Sequence, residues 1–193
     1  REALAHFGFR DDLPVLLVVG GSLGTRTLNE MMKAWVLRQG GASPVQVIWQ
    51  TGKYYSEHIA AELARRGKPA NLYVTDFIAD MGAAYRAADL VISRAGALTL
   101  AELEAEGRAA ILIPSPNVAE NHQYYNAMEL QKAGAAVVIE EKDLTGEKLV
   151  QTVSGMLAQP GKLAEMGRNA RSLSVDDSLD RIANALLKLV KTP

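Results

Sequence analysis

The segment Gly20-Gly21-Ser22-Leu23-Gly24 sets three glycines and a hydroxyl directly after an apolar run. Glycine lets the backbone approach a ligand closely, and amides at the start of a following helix suit a phosphate. Ser22 adds a hydroxyl donor. By itself, such a loop reads equally well as a tight strand-to-helix turn that holds no ligand. Two well-defined phosphate motifs can be tested here. A dinucleotide site places an acidic residue near the end of the second strand to hold the ribose diol, and this sequence has Trp49-Gln50-Thr51 there. A Walker loop ends in Gly-Lys followed by Ser or Thr, and no segment matches. The residues support neither NAD nor ATP.

A second segment, Ser93-Arg94-Ala95-Gly96-Ala97-Leu98-Thr99-Leu100-Ala101-Glu102, again turns at a glycine after an apolar run. Thr99 is placed to offer a hydroxyl and helix-end amides to phosphate. Glu102 lies three residues on, one turn up the same face. A carboxylate there can accept two hydrogen bonds from a ribose diol; the plainer reading is an acid complementing the helix dipole. Glu104 and Glu106 read as solvated face residues of that plainer kind. A third segment, Pro114 to Gln123, brings His122 and Gln123 to a helix start, where amide and imidazole groups suit sugar hydroxyls. On the residues alone, Asn121 as a cap with His122 and Gln123 simply exposed is the favoured reading. A fourth, Thr75 to Met81, carries Phe77 and Ile78, where a base could pack and pair with backbone groups. The alternative there is a hydrophobic staple closing the next helix.

These segments fall between regularly alternating elements. Val15–Val19 is a continuous apolar run, as in a strand buried on both faces. Further strands are predicted at Val45–Trp49, Leu72–Val74, Leu90–Ser93, Ala110–Ile113 and Ala136–Ile139. Helices are predicted from about Arg26 to Arg38, with Thr25 as N-cap and Gly40–Gly41 as stop, and over Tyr54–Arg66 ending near Gly67. Others run from the cap Asp80 through Ala88, over about Leu98–Glu106 to Gly107, and over Asn121–Ala133 to Gly134. After the sixth strand only helices follow, at about Gly146–Ala158, Lys162–Leu173 and Ser178–Val190. Such alternation requires crossovers and predicts a doubly wound α/β domain with a mostly parallel, six-stranded, Rossmann-like sheet. One domain is expected over 1–193, with a lead-in at 1–12, the core at 13–158 and C-terminal helices at 159–193. Ligands in such folds sit outside the carboxyl ends of the strands, where all four segments fall.

Composition sets the outer bounds. The 193 residues are 48% hydrophobic and 22% charged, which is ordinary globular composition. Net charge is −1, from 21 basic and 22 acidic residues, so no electrostatic signal points to nucleic acid. The absence of cysteine excludes disulfide and thiolate chemistry and fits a reducing cytoplasm. No apolar run approaches the roughly 18 to 20 residues that span a bilayer, and no signal-peptide pattern opens the chain. Arg1 stands where an initiator would, so an excised piece of a longer protein is expected.

Taken together, the loops resemble the MurG family of glycosyltransferases over nearly the whole chain. The matching segments are Val18 to Gly24, Gln50-Thr51-Gly52-Lys53, Asp76 to Met81, Ser93 to Thr99, and Asn121-His122-Gln123 with Asn126-Ala127. Each is weak alone; their order, spacing and placement at strand ends make the set specific. The resemblance implies the C-terminal, donor-binding half of a GT-B enzyme, with the N-terminal acceptor domain absent. It implies UDP-N-acetylglucosamine as donor and inverting transfer to the C4 hydroxyl of lipid I, giving lipid II. It implies work without a metal ion or other cofactor, at the inner face of the bacterial plasma membrane. By position, the Ile78 backbone would meet uracil beside Phe77, and Glu102 would hold the ribose. Gly21, Ser22, Gly24, Gly96, Ala97, Leu98 and Thr99 would line the diphosphate, and His122 and Gln123 would face the sugar. Some members carry two glutamines at that last pair, and His122 departs from this pattern. Arg94 receives no role. The family's base lies in the other domain, so no catalytic residue is expected here, and donor binding without turnover follows.

Rivals are a glycolipid synthase using UDP-glucose or UDP-galactose, an epimerase acting on UDP-N-acetylglucosamine, and a non-catalytic nucleotide-sugar module. The final helix carries Ile182, Leu186, Leu187 and Leu189 on one side, an apolar face expected to pack on the other domain or on a second copy.

Overall fold

The computed structural model describes residues 2–39, 44–175 and 177–190. The first half runs α1 (Glu2–His6), β1 (Val15–Val19), α2 (Arg26–Gln39), β2 (Gln46–Gln50), α3 (Ser56–Arg66), β3 (Leu72–Thr75) and α4 (Met81–Ala87). The second continues with β4 (Leu90–Ser93), α5 (Ala97–Glu106), β5 (Ala110–Leu112), α6 (His122–Lys132) and β6 (Ala136–Val138). Three helices close it: α7 (Gly146–Leu157), α8 (Pro160–Leu173) and α9 (Ser178–Val190). The strands form one sheet in the order β3-β2-β1-β4-β5-β6, and every neighbouring pair is parallel. The expected mostly parallel sheet is therefore parallel throughout.

The apolar run at β1 is explained by cover on both sides. Leu16 and Val18 pack into one layer with Leu28 and Met32 of α2, Ile59 of α3 and Val153 of α7. Val15, Leu17 and Val19 face the other layer, with Tyr85 of α4, Leu103 of α5 and Leu130 of α6. All five β1 residues are buried, and each buried aliphatic side chain contributes about 1.5–3 kcal/mol. That central position holds the loop after β1 to the middle of the carboxyl edge. The lead-in joins this core as well: Phe7 is buried and meets Tyr73 edge-on, with ring centroids 5.0 Å apart.

Several boundaries move for local reasons. α8 starts at Pro160, two residues before the predicted Lys162, because proline suits the first helical position. α3 starts at Ser56 rather than Tyr54, because Gly52 takes φ +79° and the Tyr55 amide turns back to the Gly52 carbonyl. α6 starts at His122 because Glu120 and Asn121 both adopt left-handed φ, 53° and 52°. Asp80 caps α4 as expected, accepting from the Ala83 amide at 2.8 Å. The predicted stop at Gly40–Gly41 lies outside the described residues. Among the described residues, no helix is long and apolar enough to cross a membrane.

Candidate functional site

From β1 the chain winds to β2 and β3 on one side, and from β4 to β5 and β6 on the other. The winding reverses between β1 and β4, and the crevice at the carboxyl ends of such a pair is where doubly wound folds bind ligands. A cavity of about 580 Å³ occupies this place. Gly20, Gly21 and Gly24 line it from the β1 loop, and Thr25, Arg26 and Thr27 from the start of α2. Arg94, Gly96 and Thr99 line it from the β4 side, with Ser115, Asn117, Gln123 and Glu141 beyond.

The glycine loop is held by the segment after β2. Gly24 and Gly52 lie back to back, both with positive φ. A Cβ on Gly52 would stand 2.0 Å from the Gly24 nitrogen, and one on Gly24 would stand 2.2 Å from the Thr51 carbonyl oxygen. No side chain fits either place. The Lys53 amide donates to the Ser22 carbonyl at 3.1 Å, and the Thr25 hydroxyl closes the loop onto the Gly20 carbonyl at 2.7 Å. Gln50 is buried and spans two loops. Its Nε2 donates to the Gly21 carbonyl at 3.1 Å, and its Oε1 accepts from the Ile78 amide at 3.3 Å. The residue standing where a dinucleotide fold has its acid is thus a bracket between the glycine loop and the Phe77–Ile78 loop. Within the latter, Ile78 is buried and Phe77 is exposed.

Glu102 is half-buried on α5, and the buried Tyr85 hydroxyl of α4 donates to its Oε2 at 2.8 Å. Burial, and then the adjacent Glu102 charge, push the Tyr85 phenol well above its ordinary pKa, so it remains a donor. A carboxylate fixed through one oxygen presents the other in a defined direction.

Beyond β5, Gln123 lines the cavity, and its Oε1 accepts from the Ser115 amide at 3.0 Å, a bond that does not use its amino group. His122 is exposed and does not line the cavity; its Nδ1 lies 2.9 Å from the Ala119 carbonyl. The two left-handed residues before it cost strain and persist where neighbouring contacts over-determine them. The cavity's far wall is an ionic network. Arg94 donates to the carbonyls of Ile113 and Pro114 at 3.1 and 3.2 Å and pairs with Glu141, which also accepts from the Thr27 hydroxyl at 2.7 Å. Burial raises the Glu141 pKa, but the Thr27 and Arg94 contacts outweigh it and hold the group below its ordinary value.

Of the residues expected at the site, Gly21, Gly24, Gly96, Thr99 and Gln123 meet around one cavity. Ser22, on the loop after β1, and Ala97 and Leu98, at the start of α5, are exposed without lining it. Phe77 and Ile78 on the loop after β3, and Glu102 on α5, stand outside it. Thr27, Ser115, Asn117, Arg26 and Glu141 line it without having been singled out in the sequence. Glu141 follows the last strand in a run of mixed charge, and only the fold carries it back to Thr27, 114 residues earlier.

These features define a doubly wound α/β domain with a glycine-lined crevice at its switch point, the architecture of one half of a GT-B glycosyltransferase. The chain belongs to the family of the glycosyltransferase family 28 C-terminal domain, whose profile matches residues 15–182. It is 44% identical over 190 residues to the UDP-N-acetylglucosamine–N-acetylmuramyl-(pentapeptide) pyrophosphoryl-undecaprenol N-acetylglucosamine transferase of Desulfitobacterium hafniense, covering 97% of this chain and 52% of that protein. To the protein of the same name from Parabacteroides distasonis it is 45% identical, covering 98% and 51%. The crystal structure of Acinetobacter baumannii MurG superposes with a TM-score of 0.79 at 34% identity, over 96% of this chain and 53% of that one. The chain thus spans about half the length of the relatives it matches.

Proposed function

We propose that this chain is the sugar-nucleotide-binding half of a MurG-type transferase that moves N-acetylglucosamine from UDP to lipid I, giving lipid II. The observation that carries the reading is the cavity at the β1–β4 switch point, walled by two glycine loops in a chain of this family. Glycine backbone and the Thr99 hydroxyl suit the diphosphate. Glu102, held by Tyr85, suits the ribose diol, and the loop of Phe77 and Ile78 suits the base. The Gln123 amino group and Asn117 offer hydrogen bonds to a sugar.

In the proposed reaction the acceptor's C4 hydroxyl attacks C1 of N-acetylglucosamine from the face opposite the departing UDP. Amides and hydroxyls around the diphosphate stabilise the leaving group without a metal ion. Acceptor binding and the general base are assigned to the portion of the relatives that this chain does not match. Action at the inner face of the plasma membrane belongs to that longer protein. The chain alone is proposed to bind donor without turnover.

Calorimetric titration with UDP-N-acetylglucosamine, UDP-glucose, UDP-N-acetylgalactosamine, ATP and NAD tests the reading. Selective binding of UDP-N-acetylglucosamine is expected, with Kd on the order of 10 μM to 1 mM, unchanged by a chelator. Preference for another UDP-sugar would keep the architecture and change the enzyme. Lipid II formation by this chain alone would overturn the assignment of the base.

A further inference from the structure

Two cations line the switch-point cavity, and the chain uses them differently. The Arg94 guanidinium is occupied by two carbonyl oxygens and the Glu141 carboxylate, and its side chain is only 16% exposed. Glu141 is itself tied to Thr27 at the start of α2. This network is electrically balanced, and it joins the β4 loop, the end of β5 and the first turn of α2. Arg26 is the first residue of α2; it is exposed, and among the described residues no carboxylate or carbonyl holds its guanidinium. Of the charged side chains around the cavity, Arg94 and Glu141 cancel and Arg26 is left over. It also stands at the wrong end of its helix. The first turn of α2 carries no acidic residue, and a cation there opposes the helix dipole. An anion bound in the cavity relieves both mismatches.

We infer that Arg26 binds the diphosphate of the sugar nucleotide, while Arg94, Glu141 and Thr27 form a strut that holds the cavity wall. The inference rests on the donor-binding reading and names a contact which that reading leaves open. A guanidinium presents a planar fork of N–H donors that matches two phosphate oxygens at once. Arg26 lies two residues past Gly24, so its side chain meets a ligand seated over the glycine loop and facing Thr99.

The test titrates the wild-type chain, Arg26→Gln, Arg26→Lys and Arg94→Gln with UDP, uridine and inorganic pyrophosphate at low and high salt. Arg26→Gln is expected to weaken UDP about tenfold and leave uridine unchanged, with an unaltered Tm. The salt dependence of UDP binding should flatten in the same variant, because one screened ion pair is gone. Arg26→Lys should recover part of the loss. Arg94→Gln should lower the Tm and shift UDP and uridine together. Equal loss of UDP and uridine in a folded Arg26→Gln chain, or no loss of UDP, overturns the inference while UDP-sugar binding by the wild type leaves the donor reading standing. Pyrophosphate binding that depends on Arg26, with no preference for uridine nucleotides, would keep Arg26 as a diphosphate ligand but overturn its assignment to a sugar nucleotide together with the donor reading. Failure of the wild type to bind either UDP or pyrophosphate below about 10 mM would overturn both.

Discussion

Two regions expose large apolar side chains, and they do so for different reasons. Along the carboxyl edge of the sheet, Leu23, Tyr54, Phe77 and Leu98 are each more than half exposed. Leu98 stands at the start of α5, and the other three ride on loops whose backbone is locked from beneath by the Gly24–Gly52 contact and by Gln50. On α9, Ile182, Leu186 and Leu187 are also more than half exposed, and every residue from Asp180 to Lys188 is exposed. The α9 helix is amphipathic, and none of the described residues covers that apolar face. At the edge the backbone is fixed and the side chains await a ligand or a facing surface. At α9 the apolar side chains lie exposed, with no described residue packed over them. Rigidity at the edge therefore comes from backbone interlock and not from burial of the exposed side chains.

Substitutions along this gradient should fall in order. Gly52→Ala should be the most damaging, because its Cβ meets backbone atoms that cannot move aside; about 4 kcal/mol of stability and roughly 10 °C in Tm are expected. An unchanged melting curve would mean the two loops are not interlocked. Gln50→Leu comes next, at about 2–3 kcal/mol, since the Gly21 carbonyl and Ile78 amide each lose a partner. Hydrogen exchange at the Ile78 amide and at the Gly24 amide, which donates to the same Gly21 carbonyl, should rise together, and a rise at only one would show that Gln50 is not a bracket.

Glu141→Gln should cost about 1–3 kcal/mol at neutral pH. Because the folded pKa of Glu141 is depressed, its stabilisation is present above the ordinary carboxylate range and is lost as pH falls through the folded value. The Tm gap between wild type and variant should accordingly narrow as pH falls below the ordinary carboxylate range and close below the folded value, and a gap independent of pH would remove the ionic role. Tyr85→Phe should leave the fold nearly unchanged and weaken UDP about fivefold, at about 1 kcal/mol for one hydrogen bond. The 2′,3′-dideoxy analogue should lose nothing, which separates orientation of Glu102 from general loosening. Smallest of all, Ile182→Ser with Leu186→Ser should change stability by less than about 0.5 kcal/mol. A larger loss would show that the α9 face is covered in solution, and light scattering would tell whether a second copy covers it.

Much of this arrangement was legible in the sequence. The unbroken apolar run at Val15–Val19 and the regular strand–helix alternation indicated a parallel sheet covered on both faces, because only such a sheet buries β1 entirely. Glycines ending strands marked the loops at the carboxyl edge, and the Asp80 and Gly107 helix ends formed as their residue types required. Those readings depend on interactions within a few residues, which composition and spacing encode directly.

Tertiary structure decided the rest. Gln50 read as the absence of an acid, and only the fold shows its amide joining loops 29 and 28 residues away. His122 and Gln123 read as a pair, yet a single residue's step along α6 puts Gln123 at the cavity and leaves His122 exposed. Arg94 received no role from the sequence, and only the fold shows Glu141, distant in the chain, pairing with it. Local sequence sets which element forms and where it ends. Which charges cancel and which side chains face the same space depends on contacts between elements far apart in the chain, and those exist only once the sheet has assembled.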